Sequence, residues 1–241
     1  MVTLKMAIIF LMEQIRTPFS LIWTIMSPTV LFFFLHFNEI ELHYGDTAWL
    51  GKQISWFVGY ISFSVVLFNY CLYLVGRRES GFIATFVHNM DGRLLFIRSQ
   101  LIASLIMSIL YVFFFILVVL TGFQASPDYQ IVMIILKSIY INAFMMVSLT
   151  FMASFRVTFQ TASTIYSVLI TLCMVSGIVS LKYNEGIVYW INQVNPIAIY
   201  STILQSDQEL SLMTIFFYSI MLIISIISAL TFKTEPVWSS Q

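Results

Sequence analysis

The sequence predicts an all-α polytopic membrane protein with six transmembrane helices, and three observations lead there. Of its 241 residues 60% are hydrophobic and 9% charged, with a mean hydropathy of +0.94, well outside the usual soluble range. Runs with few or no charges recur at the length of about 20 residues that a helix needs to cross about 30 Å of hydrocarbon. They lie near 18–37, 54–75, 99–120, 130–153, 162–181 and 210–232. The alternating segments of about 10 residues that build a transmembrane barrel are missing. Formal net charge is zero, which indicates neither a nucleic-acid surface nor an acidic tail. No stretch has the make-up of a soluble domain, so residues 1–241 read as one transmembrane domain.

Residues 1–16, MVTLKMAIIFLMEQIR, are too short and too interrupted to span the membrane, and Pro18 can end a helix just after them. They suit a helix lying along the interface, the alternative being the first turns of span one. Glu13 and Arg16 break the apolar run and no small-residue cleavage site follows, so a removable signal peptide is not expected. The loop 38–53 is short and acidic. Span two carries Ser55, Gly59, Ser62, Asn69 and Tyr73 at helical spacing, one polar stripe along its length. The loop 121–129 is a turn around Pro127. Span four holds Lys137, placed to snorkel outward, and Asn142. Span five carries a second stripe of Thr164, Ser167 and Thr171. Small polar residues in such stripes either bond between helices or line a pathway.

Residues 182–209, KYNEGIVYWINQVNPIAIYSTILQSDQE, are too apolar for a solvated loop and too short to cross twice. Pro196 divides them, which predicts two short helices dipping back into the membrane and buried against the bundle. Trp190, Tyr189 and Tyr200 suit the outer interface. Cys71 and Cys173 fall inside spans, where a thiol behaves as a small apolar side chain.

The cationic residues set an orientation. With both termini cytoplasmic, the inner segments hold Lys5, Arg16, Arg77, Arg78, Arg93, Arg98, Arg156 and Lys233, against Lys52 and Lys182 outside. The stretch 77–98 then faces the cytosol. Within it Phe82, Ile83, Phe86, Val87 and Met90 fall within about 140° of one another on a helical wheel. Ala84, Thr85, His88 and Asn89 take the other side. Ser80 stands at the N-cap position and Gly92 at the terminating one, which predicts an amphipathic helix of about 11 residues. Its apolar face needs either the lipid interface or a protein groove that accepts Phe82 and Phe86.

These features together resemble the transmembrane subunits of ABC transporters of the ABC-2 type, a family that includes the membrane halves of ABCG-like (type V) exporters. The order of interfacial helix, six spans, cytoplasmic helix between spans two and three, and re-entrant pair before span six covers the whole chain. Local motifs agree: Arg16, Pro18 and Pro28 around span one, RRESG with Glu79 and Gly81, and NPIAIY with Asn195 and Pro196. The turn NMDGR departs from the proline-centred turn common in the family. The resemblance implies that residues 79–91 (Glu79, Gly81, Phe82, Ile83, Phe86, Val87, Met90) couple to a separate nucleotide-binding ATPase subunit. It also implies that spans two and five line a central cavity, and that a second permease chain, identical or homologous, completes it.

The nearest approach to a phosphate loop, GDTAWLGKQ at 45–53, has its glycines one residue too far apart and Gln53 in place of Ser or Thr. The chain is therefore expected to be no enzyme and to carry no cofactor, with ATP and magnesium on the partner. His36, Glu39, Glu41 and His43 read as solvated loop residues rather than metal ligands. No predicted span core contains Asp or Glu, which speaks against a proton-coupled secondary transporter. The functional expectation is the permease subunit of an exporter in the cell membrane, moving a hydrophobic or amphipathic cargo such as a peptide, an antibiotic or a lipid-like molecule. The alternatives are a non-transporting immunity or sensor subunit and a secondary transporter.

Overall fold

A computed structural model describes residues 2–16, 18–86, 89–180, 185–205 and 212–232. All described secondary structure is helical: α1 (Val2–Ile15), α2 (Pro18–Leu35), a 3₁₀ turn (Phe37–Glu39), α3 (Thr47–Ser64), α4 (Tyr73–Glu79), α5 (Phe82–Phe86), α6 (Met90–Gly122), α7 (Tyr129–Leu149), α8 (Phe159–Ser180), α9 (Gly186–Val194), α10 (Pro196–Gln205) and α11 (Leu212–Leu230). A π-helical segment, Val65–Leu72, joins α3 to α4, and a 3₁₀ segment, Thr150–Ser154, continues α7.

Among the described residues, four helices are long and apolar enough to cross a membrane: Thr47–Glu79, Met90–Gly122, Tyr129–Ser154 and Phe159–Ser180. The apolar helices α2 and α11 have 18 and 19 residues. Several run beyond the apolar windows read from sequence, because hydropathy marks the hydrocarbon-matched part of a helix and not its charged ends. Thr47–Lys52 thus belong to α3, and Met90–Arg98 to α6.

Polar side chains set the starts. Asp46 caps α3 by accepting from the Trp49 amide at 3.0 Å, Asn89 caps α6 through the Gly92 amide at 2.8 Å, and Asp128 caps α7. The Trp49 amide, then the His43 side chain 3.2 Å away, hold the Asp46 carboxyl below its ordinary range. A depressed folded value means that the cap's contribution is present above the ordinary carboxylate range and lost as pH falls through the lowered value. Fluorescence of Trp49, whose indole stacks on His43 at 4.2 Å, should report that loss on acid titration.

The core runs along α3, the π segment and α4: Ile54, Val58, Ile61, Val65 and Leu74 are all fully buried. The helix α1 stands apart from α2 as an element of its own and packs against α6. Ser99 donates to the Thr3 carbonyl at 3.1 Å, and Phe10 meets Phe96 edge-on at 5.4 Å. Its outer face, with Val2, Leu4, Ile8, Ile9 and Met12, is exposed and apolar, as suits a helix at an interface.

Candidate functional site

The π segment is where the second long helix departs from the pattern its sequence suggests. An i→i+5 turn carries one extra residue and leaves a backbone carbonyl without its usual partner. Two side chains of α6 converge on the Asn69 carbonyl in this segment: Gln100 Nε2 at 2.7 Å and the Ser104 hydroxyl at 3.1 Å. Gln14 of α1 reaches the same oxygen at 3.5 Å. The Asn69 amide in turn faces the Tyr111 hydroxyl at 3.4 Å. Gln14, Gln100 and Ser104 were not singled out from sequence; three amides and hydroxyls at one depth on different helices were the available signal.

On its other side Asn69 lines a cavity of about 510 Å³ between α2, the π segment and α8. The cavity brings Asn69 of one predicted stripe together with Ser167 and Thr171 of the other. Thr24, Ser27, Tyr60 and Ser64 add polar groups that the sequence reading missed, beside Phe68, Leu72 and Ile170. Ser167 and Thr171 are exposed on α8, with their hydroxyls bonded back to the Ser163 and Ser167 carbonyls at 2.8 Å each. Thr164 continues the exposed row and bonds the Gln160 carbonyl at 3.1 Å.

The remaining stripe residues lie elsewhere. Ser55 is buried, donates to the Gly51 carbonyl at 2.7 Å, and lines a separate cavity with Lys52, Lys137 and Gln205. Ser62 is fully buried. Tyr73 is half-buried, donates to Glu13 and accepts from Arg77 at 2.8 Å. The extra residue of the π turn rotates Asn69 and Tyr73, within and beyond it, relative to Ser55 and Ser62 before it, so one straight helical wheel does not hold across the segment.

The charged stretch is also arranged differently from its expectation. Arg77 pairs with Glu13 of α1 and lies over the rings of Tyr73 and Phe82 at 5.0 and 4.8 Å. Arg78 is buried, 1% exposed, and donates to the carbonyls of Ala153, Phe155 and Val157 at 3.1, 2.9 and 2.9 Å. It thereby ties the end of span two to the turn between α7 and α8. Glu79 leans back on Arg78 at 3.5 Å.

The predicted eleven-residue amphipathic helix is corrected: the described residues give a helix at Phe82–Phe86, and the extended backbone at Asn89 separates it from Met90. Gly81, at φ 74°, terminates α4, and Asn89 opens α6. Ser80 is therefore at the end of α4 rather than capping a new helix, and Gly92 lies inside α6 instead of stopping one. Two residues of the apolar face pack within the chain. Ile83 is fully buried, and Phe82 packs beneath Arg77 and 6.5 Å from Phe96. Met90 belongs to α6 and is 45% exposed. The Phe86 side chain, Val87 and His88 lie outside the described residues.

The segment after α8 forms a broken pair of short helices, as its proline suggested, but only α10 is buried against the bundle; the expectation is corrected for α9, which has no buried residue. Asn195 holds the break. Its amide donates to the Cys173 carbonyl at 2.8 Å and the Ser176 hydroxyl at 3.1 Å, and its carbonyl accepts from the Ile197 amide at 3.0 Å. Pro196 takes the first position of α10, where its missing N–H costs nothing. Trp190 and Tyr189 are exposed, but Tyr200 is fully buried and donates to Asn142 at 2.7 Å. The interfacial assignment of Tyr200 is therefore corrected: its hydroxyl finds a partner in the bundle, so burial leaves nothing unsatisfied. Asn142 passes the connection on to the Ser108 hydroxyl at 2.8 Å.

His36 and His43 both pack around Trp49, and no three His, Cys, Asp or Glu gather to hold a metal among the described residues. No family model matches the chain.

Proposed function

We propose that this chain is the membrane-embedded permease subunit of an ATP-driven exporter of the ABC-2 type, crossing the membrane six times with α2 and α11 as the first and last spans. The observation that carries the reading is the polar row Thr164, Ser167 and Thr171, exposed on α8 beside the cavity that holds Asn69. Only 22% of the apolar window of α8 is buried, against 78% for the helix that contains the π segment. A row of hydroxyls at mid-span is poorly matched to hydrocarbon even when bonded back to its own helix. A second permease chain laid against α8 would cover it and enclose a pathway shared between the two chains. Mixed hydroxyl, amide and aromatic walls suit an amphipathic cargo. ATP and magnesium would be held by separate nucleotide-binding subunits.

Cysteine placed at Thr171 in an otherwise cysteine-free chain should cross-link two differently tagged copies in native membranes. A chain that stays uncross-linked and fails to co-purify with its second tag would refute the shared pathway. Asn69→Leu should change cargo preference or export while leaving assembly intact; if it merely destabilises the complex, the polar groups serve interhelix bonding.

The ATPase would dock where residues between α4 and the first turn of α6 remain exposed: Thr85, Asn89, Met90 and Asp91. Met90→Asp adds a carboxylate in the first turn of α6, which the helix tolerates, but puts charge into a contact. Loss of a central apolar contact typically costs more than about 1 kcal/mol, close to tenfold in affinity. Co-purified ATPase should fall by about that factor, and undiminished ATPase would remove this surface from the docking site. In intact cells, cysteines at Asp46 and Asp128 should react with an impermeant reagent and one at Asn89 should not.

A further inference from the structure

A third cavity, of about 520 Å³, lies between α8 and α11. That is within the roughly 300–1,000 Å³ of small-ligand sites. Its walls include Leu149, Met152, Leu169, Leu172, Phe217 and Met221, and the turn at Asn195 and Pro196 closes one side. The oxygen- and nitrogen-bearing side chains on the wall are Ser176, Asn195 and Tyr218, and each is engaged within the chain. Asn195 uses both ends of its amide as described, Ser176 donates to the Cys173 carbonyl at 3.1 Å, and Tyr218 faces the Val194 carbonyl at 3.5 Å. The wall therefore recognises hydrocarbon and has no group set aside for a polar ligand.

The mouth is marked by Leu172 and Ile191, 62% and 46% exposed. Leu169 and Leu172 stand near the middle of the 22-residue α8, so the cavity opens at a depth where hydrocarbon is the solvent. Water does not fill such a space, because it needs two to four polar partners. Left empty, the lining would forgo its dispersion contacts on one side. We propose that the cavity seats an acyl chain of a membrane phospholipid, which enters between α8 and α11 and ends against the Asn195–Pro196 turn. The chain supports the broken helix pair from beneath and couples its position to the surrounding bilayer.

The full chain in bilayers that contain a phospholipid with a diazirine midway along one acyl chain provides the test. After irradiation, carbene adducts should concentrate on Leu169–Cys173 and Phe217–Met221. They should exceed those on Phe113 and Phe114, exposed residues of α6, several-fold, because a seated chain dwells against the lining whereas bulk lipid exchanges over an open helix face. Leu172→Trp narrows the mouth at an exposed position without disturbing the core, and should remove most of that excess. Equal labelling of the two surfaces overturns the proposal, as does labelling that ignores Leu172→Trp. Labelling by a water-soluble amphiphile carrying the same diazirine, but not by the phospholipid, would make this a cargo site and also overturn it.

Discussion

Arg78→Ala is expected to lower the thermal stability of the purified protein by about 2–4 kcal/mol. Three charge-assisted hydrogen bonds disappear, each worth about 1.5–3 kcal/mol but far from additive. Of the three carbonyls released, that of Ala153 belongs to a buried residue while Phe155 is exposed, so water can rescue part of the loss. Glu79, 13% exposed, would also lose its cation. Arg78→Lys should recover only a fraction, because an ammonium group is a point donor and cannot reach three divergent carbonyls as a guanidinium does. The measurement is a melting curve in detergent for parent, Ala and Lys forms. If Ala and Lys fall together, or neither falls, the geometric account of Arg78 is wrong. A surface role in fixing orientation would predict the opposite pattern, with Lys equivalent to Arg.

Gly59→Ala is expected to do comparable damage for a different reason. A Cβ at this position would stand 2.8 Å from the Ile197 carbonyl oxygen and 2.8 Å from the Tyr200 Cβ. Both are part of, or next to, the backbone of α10 and cannot swing aside. The pair must separate, and the shift is felt along the chain from Tyr200 to Asn142 to Ser108, whose bonds are 2.7 and 2.8 Å. Overpacking of this kind costs about 1–3 kcal/mol, and Gly59→Leu should prevent assembly. Gly51→Ala is the matched control: eight residues earlier in α3, its Cβ would meet only side-chain atoms at 3.7 Å. Equal behaviour of the two alanine variants would show that α3 and α10 do not approach as closely as described.

Much of the architecture was legible because it rests on periodicity and composition. Uncharged runs located the long helices, Pro196 located the break between α9 and α10, and Pro18 separated α1 from α2. Two features were hidden for physical reasons. A helical wheel assumes one twist throughout, so it joined Ser55, Ser62, Asn69 and Tyr73 into a stripe that the π turn divides; only Asn69 reaches the cavity. Between Glu79 and Met90 the wheel joined residues that belong to two helices, because Gly81 at positive φ and Asn89 as a cap compete with the amphipathic pattern and win. Arg78 read as one of a charged group because sequence cannot tell a cation in solvent from one folded onto carbonyls 75 and more residues away.

The eight-residue π segment has a consequence for how this chain can change over generations. Each residue in an α-helix advances the following ones by about 100°, so the extra residue acts as a gear between the two halves of the span. Deleting one residue within Val65–Leu72 would let a regular helix close, a locally favourable repair. It would also swing Arg77 away from Glu13 and Arg78 away from the turn at Ala153–Val157, and withdraw the Asn69 carbonyl from Gln100 and Ser104. Substitutions inside the segment are therefore tolerated far better than changes of length. Related chains that keep this arrangement should vary freely in residue type between Ser64 and Tyr73 yet hold the same count.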